Sequence, residues 1–377
     1  MEAVKETLQS DYLTQGPKVA AFEKSFAEYV GAQFAVAVSN GTAALHLCTL
    51  ALGVNEESRV ITTPITFVAS ANCVRYCGGT IEFADINPDT ALLDTDKVRQ
   101  LLESQPRGYY SGIIPVDFAG NPVNMEELRA LADAHGLWII EDACHAPGGY
   151  FYDSKDEKQM CGNGKYADVA IFSFHPVKHI ATGEGGMITT NNELLYKKLM
   201  RLRTHGITRD PDEMPENHGG WYMEMQELGF NYRIPDMLCA LGISQLQRAD
   251  TGLARRKGIA KIYDEAFKEV EGIRILDINQ AALGAAGEKG HAYHLYVIRV
   301  QDRKGLYDFL RQHQIFAQVH YIPVHTMPYY RSLGHGKGDF PEAEQYYAEC
   351  LSLPMYPSLT QEEQAFVIQK VKEFIGK

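Results

Sequence analysis

The sequence predicts an α/β fold built on a mostly parallel sheet, and three observations carry that expectation. Short apolar runs rich in β-branched residues recur through the first two-thirds of the chain, each too brief for a helix. Between them lie segments whose apolar residues repeat at helical spacing. The strand-like runs are apolar throughout, as strands are when helices cover both faces of a sheet.

In chain order, strands are expected at 34–38, 60–63, 81–84, 112–116, 137–140, 169–174 and 187–190. The helical stripes between them include Val19, Phe22, Phe26, Tyr29 and Val30, then Leu128, Leu131 and Ala132, then Leu194, Leu195, Leu199 and Leu202. After Pro235 the texture changes. A long helical stretch runs from Met237 to about Val270, with interruptions expected near Gly252 and Gly258. A strand at 273–278, a Gly/Ala-rich turn at 281–290 and a strand at 293–300 follow. A helix at 305–314, a strand at 317–321 and a helix at 362–374 complete an α+β order. The expected organisation is a large domain over 1–250 and a smaller C-terminal domain over 251–377.

Composition narrows the function. Of 377 residues, 45% are hydrophobic and 10% aromatic, with no low-complexity tract, which excludes a disordered chain. Lys and Arg number 36 against 48 Asp and Glu, a formal charge of −12, so phosphate backbones and anionic membrane surfaces are not expected partners. A small anion is still allowed, since local backbone amides can hold one. No N-terminal apolar stretch of signal length and no run of roughly 20 apolar residues occurs, so a soluble cytoplasmic protein is expected. The 7 cysteines form no CxxC pair and read as reduced, buried small hydrophobes, with no metal site. Cys161, between Met160 and Gly162-Asn163-Gly164, is expected to be the more exposed one.

Three motifs point to chemistry. In the first, Ile171-Phe-Ser-Phe-His-Pro-Val-Lys178, a strand ends and a lysine follows in a loop before the glycine-rich Gly183-Glu-Gly-Gly186. Apolar and glycine neighbours favour the neutral, nucleophilic amine of a Schiff-base lysine, although most loop lysines are plain surface charges. Ser173 and His175 add polar groups at the strand's carboxyl edge, where ligands of open α/β sheets bind. In the second, Leu137-Trp-Ile-Ile-Glu-Asp142, an apolar strand ends in two carboxylates. Asp142 would serve either as a helix cap or as the partner of a buried cation such as a protonated pyridine nitrogen. In the third, Ser39-Asn40-Gly41-Thr42-Ala43-Ala44, a strand gives way to an apolar helix. The amides of Thr42 and Ala43 would point into an N-terminal anion hole, or the motif is an ordinary cap. Phe67, just after the strand that ends near Pro64, would offer an aromatic face to a planar ring or pack in the core.

These segments, in this order, resemble the fold-type I, pyridoxal-phosphate-dependent sugar aminotransferases of the DegT type, which aminate nucleotide-linked keto-sugars. The likeness spans about Leu13 to Leu353. Its pieces are Thr14-Gln-Gly16, Asn40-Gly-Thr-Ala-Ala44, Thr66-Phe67, Glu141-Asp142, Ser173 to Lys178, Gly183 to Gly186 and Gly229-Phe-Asn-Tyr-Arg233. Residues 61–72 and 317–323 are most similar to the branch that serves pseudaminic acid biosynthesis and uses a UDP-linked 4-keto-6-deoxy sugar.

Carried over by position, the resemblance implies that Lys178 forms the Schiff base with pyridoxal 5'-phosphate and shuttles the proton. It implies that Asp142 pairs with the pyridinium nitrogen and that Phe67 stacks on the ring. Thr42, Ala43 and Ser173 would hold the phosphate. Asn231 would reach the phosphate in a neighbouring subunit, which implies a homodimer with shared active sites. His145 stands where most of the family has Gln against the cofactor's ring hydroxyl, a departure shared with the pseudaminic branch. Thr14, Gln15, His320 and Tyr321 are candidates for the sugar-nucleotide pocket, with ordinary packing as the competing account. The implied partners are a nucleotide-linked keto-sugar and an amino acid donor, glutamate in the family. Two rivals share the fold. One is a sugar dehydratase with histidine in place of the lysine, for which His179 matters. The other is a non-catalytic sensor, for which no helix-turn-helix or long basic segment is present. A Rossmann dehydrogenase is disfavoured because no G-x-G-x-x-G follows an early strand.

Overall fold

Apolar residues on successive strand positions feed opposite faces of one seven-stranded sheet. The computed structural model describes residues 2–285 and 287–376. The strands are β1 (Phe34–Val38), β2 (Arg59–Thr62), β3 (Thr80–Phe83), β4 (Gly112–Ile114), β5 (Trp138–Asp142), β6 (Val169–Ser173) and β7 (Gly186–Thr190). Their order across the sheet is β1-β7-β6-β5-β4-β2-β3. Val60 and Ile140 pack into one hydrophobic cluster while their neighbours Ile61 and Ile139 enter another on the far side. That two-sided burial is why the inner strands carry no polar alternation, whereas edge strand β3 alternates Thr80 and Glu82 with the buried Ile81 and Phe83.

Strands β2 to β6 pair in parallel; helices make the crossovers as far as β5, and the β5-to-β6 link carries an antiparallel hairpin, 150–152 with 158–160, in place of a helix. The link from β6 to β7, residues 174–185, also contains no helix, and β7 returns antiparallel to β6 and pairs antiparallel with β1. Helices α1 (Glu2–Leu8), α2 (Pro17–Val30), α3 (Gly41–Ala51), α4 (Ala69–Tyr76), α5 (Thr95–Glu103), α6 (Met125–His135) and α7 (Glu193–Arg203) clothe the sheet. Two expected stripes face inward, with Phe22, Phe26 and Val30 of α2 and Leu128 and Leu131 of α6 buried, while in α7 only Leu199 and Leu202 of the expected stripe are buried and Leu194, at the helix start, is 78% exposed. Each fully buried residue of this kind contributes about 1.5–3 kcal/mol.

The long helical stretch breaks elsewhere than expected. It divides into α8 (Asp236–Leu246) and α9 (Ala249–Phe267), separated at Gln247 and Arg248. Gly252 and Gly258 both lie within α9, where glycine costs only about 1 kcal/mol against alanine. The expected domain division at residue 250 falls at the first turn of α9. Beyond it a three-stranded antiparallel sheet forms from β8 (Arg274–Ile275), β9 (Tyr296–Arg299) and β10 (Cys350–Leu353). Its cluster joins Ile259, Tyr263 and Phe267 with Leu306, Leu310, Val367 and Val371. These come from α9, α10 (Arg303–Gln312) and the final helix Gln361–Ile375.

The strand expected at 317–321 is absent. Only Gln318 pairs, with Ser352, and the carbonyl of His320 is taken instead by the Tyr346 hydroxyl at 2.9 Å. The third strand is Cys350–Leu353, which its short length had hidden. Cys161, expected to be exposed, is 1% exposed. Its amide bonds to the Gly149 carbonyl, and the turn at Gly162 (φ +77°) lies so close to Phe172 that a Cβ there would clash. All seven cysteines are free thiols. Among the described residues no helix is long and apolar enough to cross a membrane.

Gly112 of β4 sits under the indole of Trp138, where a Cβ would come within 2.2 Å of Cδ2. Gly112→Ala is expected to destabilise the fold by about 1–3 kcal/mol through overpacking. Chemical denaturation would show it as a lower midpoint with an unchanged slope.

Candidate active site

The carboxyl ends of five strands converge on one cavity of about 760 Å³. Asn40 to Ala43 follow β1, Thr66 and Phe67 follow β2, Val116 follows β4, Asp142 to His145 end β5, and Ser173 to Lys178 end β6. Strand β1 contributes its carboxyl end because β7 intervenes antiparallel to both β1 and β6. This is the edge where open α/β sheets hold ligands.

Lys178 occupies the helix-free 174–185 connection, closed at its base by Phe174 N–H to Gly185 O at 2.8 Å and Thr182 N–H to Phe174 O at 2.9 Å. Its amine makes no hydrogen bond or ion pair to a described residue. Burial lowers its pKa below the ordinary lysine value, while nearby Cys144 and Asp142 pull it upward. The adjacent His179 does not line this cavity. Its ring lies 5.5 Å from that of His294, with both nitrogens buried and unpartnered.

Asp142, 5% exposed, is held on both oxygens. Ser70 Oγ donates to Oδ2 at 2.7 Å and the Cys144 amide donates to Oδ1 at 3.2 Å. Since the Ser70 proton goes to Asp142, Thr66 Oγ1 must donate to Ser70 Oγ at 2.8 Å. A carboxylate fixed this way presents a hydrogen-bonding partner to a cation in the cavity. No helix starts there, so the capping role does not apply.

At the start of α3 the expectation for Ala43 needs correction. Its amide donates to Asn40 Oδ1 at 2.8 Å, so the side-chain cap has already taken it, whereas the Thr42 amide has no acceptor among the described residues. Two glycines let three segments meet here. A Cβ on Gly41 would lie 3.1 Å from Ser173 Cβ, and one on Gly186 would lie 2.6 Å from the Asn40 carbonyl carbon. Thr42 and Ser173 both line the cavity beside the N-terminus of α3, a setting that suits a phosphate.

Thr42, Ala43, Phe67, Asp142, His145, Ser173, Lys178 and Tyr321 all line the cavity. Phe67 is 57% exposed at its mouth, free to lie against a planar ring. The donor set fits pyridoxal phosphate: an amine for the aldehyde, a carboxylate for the ring nitrogen, and hydroxyls at a helix start for the phosphate. Four other candidates lie elsewhere. Thr14 and Asn231 are exposed, and Gln15 borders a separate cleft with Arg203 and Arg233. His320 borders a neighbouring cavity that shares Val177 with the first, and its Nδ1 pairs with Ser352 Oγ at 2.9 Å. Ser70, Tyr76, Cys144 and Tyr232 also line the site and were not singled out in the sequence. For Ser70 the available signal was its position one helical turn after Thr66.

The neighbour of Asp142 behaves differently. Glu141 lies on the other side of β5, accepting from the Gly162 amide at 3.0 Å. Its carboxyl, that of Asp117 and the Cys161 sulfur lie within 4.8 Å of one another, all buried. Burial raises Asp117 to about 7 and Glu141 well above its usual range; the charge of Asp117 adds to the rise at Glu141, while the hydrogen bond from Glu141 tempers the rise at Asp117. The two carboxyls read as a pair that retains a proton at neutral pH.

The chain matches the DegT/DnrJ/EryC1/StrS aminotransferase family over residues 1–372. The UDP-4-amino-4,6-dideoxy-N-acetyl-beta-L-altrosamine transaminase of Campylobacter jejuni is 36% identical, over 99% of this chain and 96% of its own. PseC of Helicobacter pylori, an aminotransferase involved in the biosynthesis of pseudoaminic acid, superposes with a TM-score of 0.86 at 29% identity, over 100% of this chain and 95% of its own. Spr1654 from Streptococcus pneumoniae, solved in a PLP form, superposes with a TM-score of 0.86 at 28% identity, over 99% and 96%.

The Asp117–Glu141 pair makes stability depend on pH in a definite direction. A carboxyl whose folded pKa is raised holds its proton longer than the unfolded chain does, so stability falls as pH rises from 3.8 to about 7. Asp117→Asn is expected to flatten that fall, read as a shallower dependence of Tm on pH in thermal melts across this window.

Proposed function

Because the chain belongs to the DegT/DnrJ/EryC1/StrS aminotransferase family, we propose that it transfers an amino group from glutamate to a UDP-linked, N-acetylated 4-keto-6-deoxy sugar. It is a pyridoxal-phosphate-dependent sugar aminotransferase. The observation that carries the reading is the unpaired Lys178 amine facing the fixed carboxylate of Asp142 in one cavity at the sheet's carboxyl edge. The choice of sugar is supported by the 36% identity to the Campylobacter transaminase.

Pyridoxal phosphate, when bound, supplies an electron sink and carries the amino group between donor and acceptor. Asp142 would hold its ring nitrogen protonated, with Ser70 and the Cys144 amide keeping the carboxylate in place. Thr42 and Ser173 would hold the phosphate and Phe67 would cover one face of the ring. Lys178 Nζ, its neutral form favoured by burial, would bond to the cofactor at rest. Once released, it would take the proton from the donor's carbon and return one to the sugar's. The same steps in reverse order load and unload the amino group, so one base serves both half-reactions.

The enzyme would act in the cytoplasm as a homodimer with shared sites, the partner subunit's Asn231 completing the phosphate site. Asn231 is exposed and outside its own chain's cavity, and Phe67 and Val177 leave an apolar rim at 57% and 60% exposure. The seven free thiols suit a reducing compartment.

Incubation with glutamate and a panel of nucleotide-linked 4-keto and 3-keto sugars, read by 2-oxoglutarate release, tests the substrate. Turnover confined to the UDP-linked N-acetyl 4-keto sugar is expected, and preference for a dTDP- or GDP-linked sugar would reassign it. Lys178→Ala should lose turnover by about 10⁴-fold or more. Borohydride should link the cofactor to Lys178 in the wild type, and labelling of the variant at another lysine would overturn the assignment. Asp142→Asn should slow turnover by roughly a hundredfold, and near-normal rates would reduce that residue to a structural part.

A further inference from the structure

His145 stands where most of the family has Gln against the cofactor's ring hydroxyl, but the structure commits its ring nitrogens elsewhere. The Ala119 amide donates to Nδ1 at 3.3 Å. A backbone N–H can only donate, so Nδ1 carries a lone pair and the imidazole's one proton must sit on Nε2. Nε2 lies 3.2 Å from the Tyr321 hydroxyl. With that proton on the histidine, Tyr321 Oη is the acceptor and its own hydrogen must point away from His145. No other described residue accepts it. Tyr321 lines the cavity with Lys178 and Asp142, so the hydrogen is presented there.

The ring geometry holds this arrangement from behind. His294 packs on His145 with centroids 4.2 Å apart and planes at 34°. The carbonyls of Tyr293 and His294 are in turn held by the buried Arg256 guanidinium at 3.1 and 3.2 Å. Burial and the nearby Lys178, His320 and His179 keep His145 neutral, and burial with the charge of Asp142 keeps Tyr321 protonated.

We infer that Tyr321 is the neutral hydrogen-bond donor to the cofactor's ring oxygen in this enzyme, and that His145 acts through it as a positioning residue that aims the hydroxyl. The inference rests on the cavity holding pyridoxal phosphate. It moves the contact that the family places at position 145 one residue outward, to a segment of the C-terminal half of the chain. A donor to an anionic oxygen strengthens binding of the ring and favours its ionised form.

Binding of pyridoxamine phosphate, which forms no covalent bond to Lys178, tests it through quenching of intrinsic fluorescence in four proteins: wild type, Tyr321→Phe, His145→Ala and the double variant. Each single change should weaken binding about tenfold. The double should be no weaker than the worse single, because one interaction is removed twice. Full additivity, or unchanged binding by Tyr321→Phe, would overturn the inference. Failure of the wild type to bind would instead overturn the functional reading beneath it. Should His145→Ala not fold, Tyr321→Phe decides alone through the bound cofactor's visible absorbance. The pH midpoint of that transition should rise by about one unit when a donor to the ring oxygen is lost. The titratable groups facing Tyr321, namely Asp142, Cys144, Lys178, His145 and His320, are all retained in that variant, and an unmoved midpoint would refute the assignment.

Discussion

A buried carboxylate at the end of a central strand is the constraint around which the site is arranged. Asp142 is almost wholly removed from water, and a buried polar group is costly unless it is hydrogen-bonded. Ser70 and the Cys144 amide supply those hydrogen bonds, and Thr66 orients Ser70. The Ser70 hydroxyl comes from α4, the amide from the turn after β5, so two elements must dock correctly before the carboxylate is held. The neighbouring Glu141 is held differently on the same strand. Facing Asp117 across a dry interior, it keeps its proton, although it is the residue next to Asp142 along the strand.

Much of the large sheet was legible in the sequence because its strands are buried on both faces. Short apolar runs such as 60–61, 113–114 and 169–172 between helical stripes suit a sheet covered on both faces. The C-terminal region was less readable. Residues 317–321 carry strand-forming side chains, yet only Gln318 pairs, since the His320 carbonyl goes to Tyr346 and the chain turns toward the cavity. Glycines misled in α9 because packing against the small sheet outweighs a local propensity of about 1 kcal/mol. Cys161 looked exposed for its glycine neighbours, but those glycines allow close approach to Phe172 and bury the thiol.

The site residues divide in the same way. Lys178, Asp142, Ser173 and Thr42 lie where strands end, and a strand's end can be read from its apolar run. Ser70, Tyr76 and Tyr232 enter from elements whose docking the sequence does not encode locally. The tautomer of His145 is a further case: it follows from an amide contributed by Ala119, distant in sequence and adjacent only after β4 and β5 have paired.

The helix-free return from β6 to β7 has a bearing on how the amine can move. Both ends of residues 174–185 are stitched to neighbouring strands of the central sheet, and short backbone bonds close the base of the connection. Large excursions of the main chain are thereby discouraged. An amine that must reach both a resting attachment point and a nearby carbon atom has to do so by rotating about the bonds of its own four-carbon stem. The reach of catalysis in this protein is then set by side-chain torsions over a stationary platform, with no need for the loop beneath to travel.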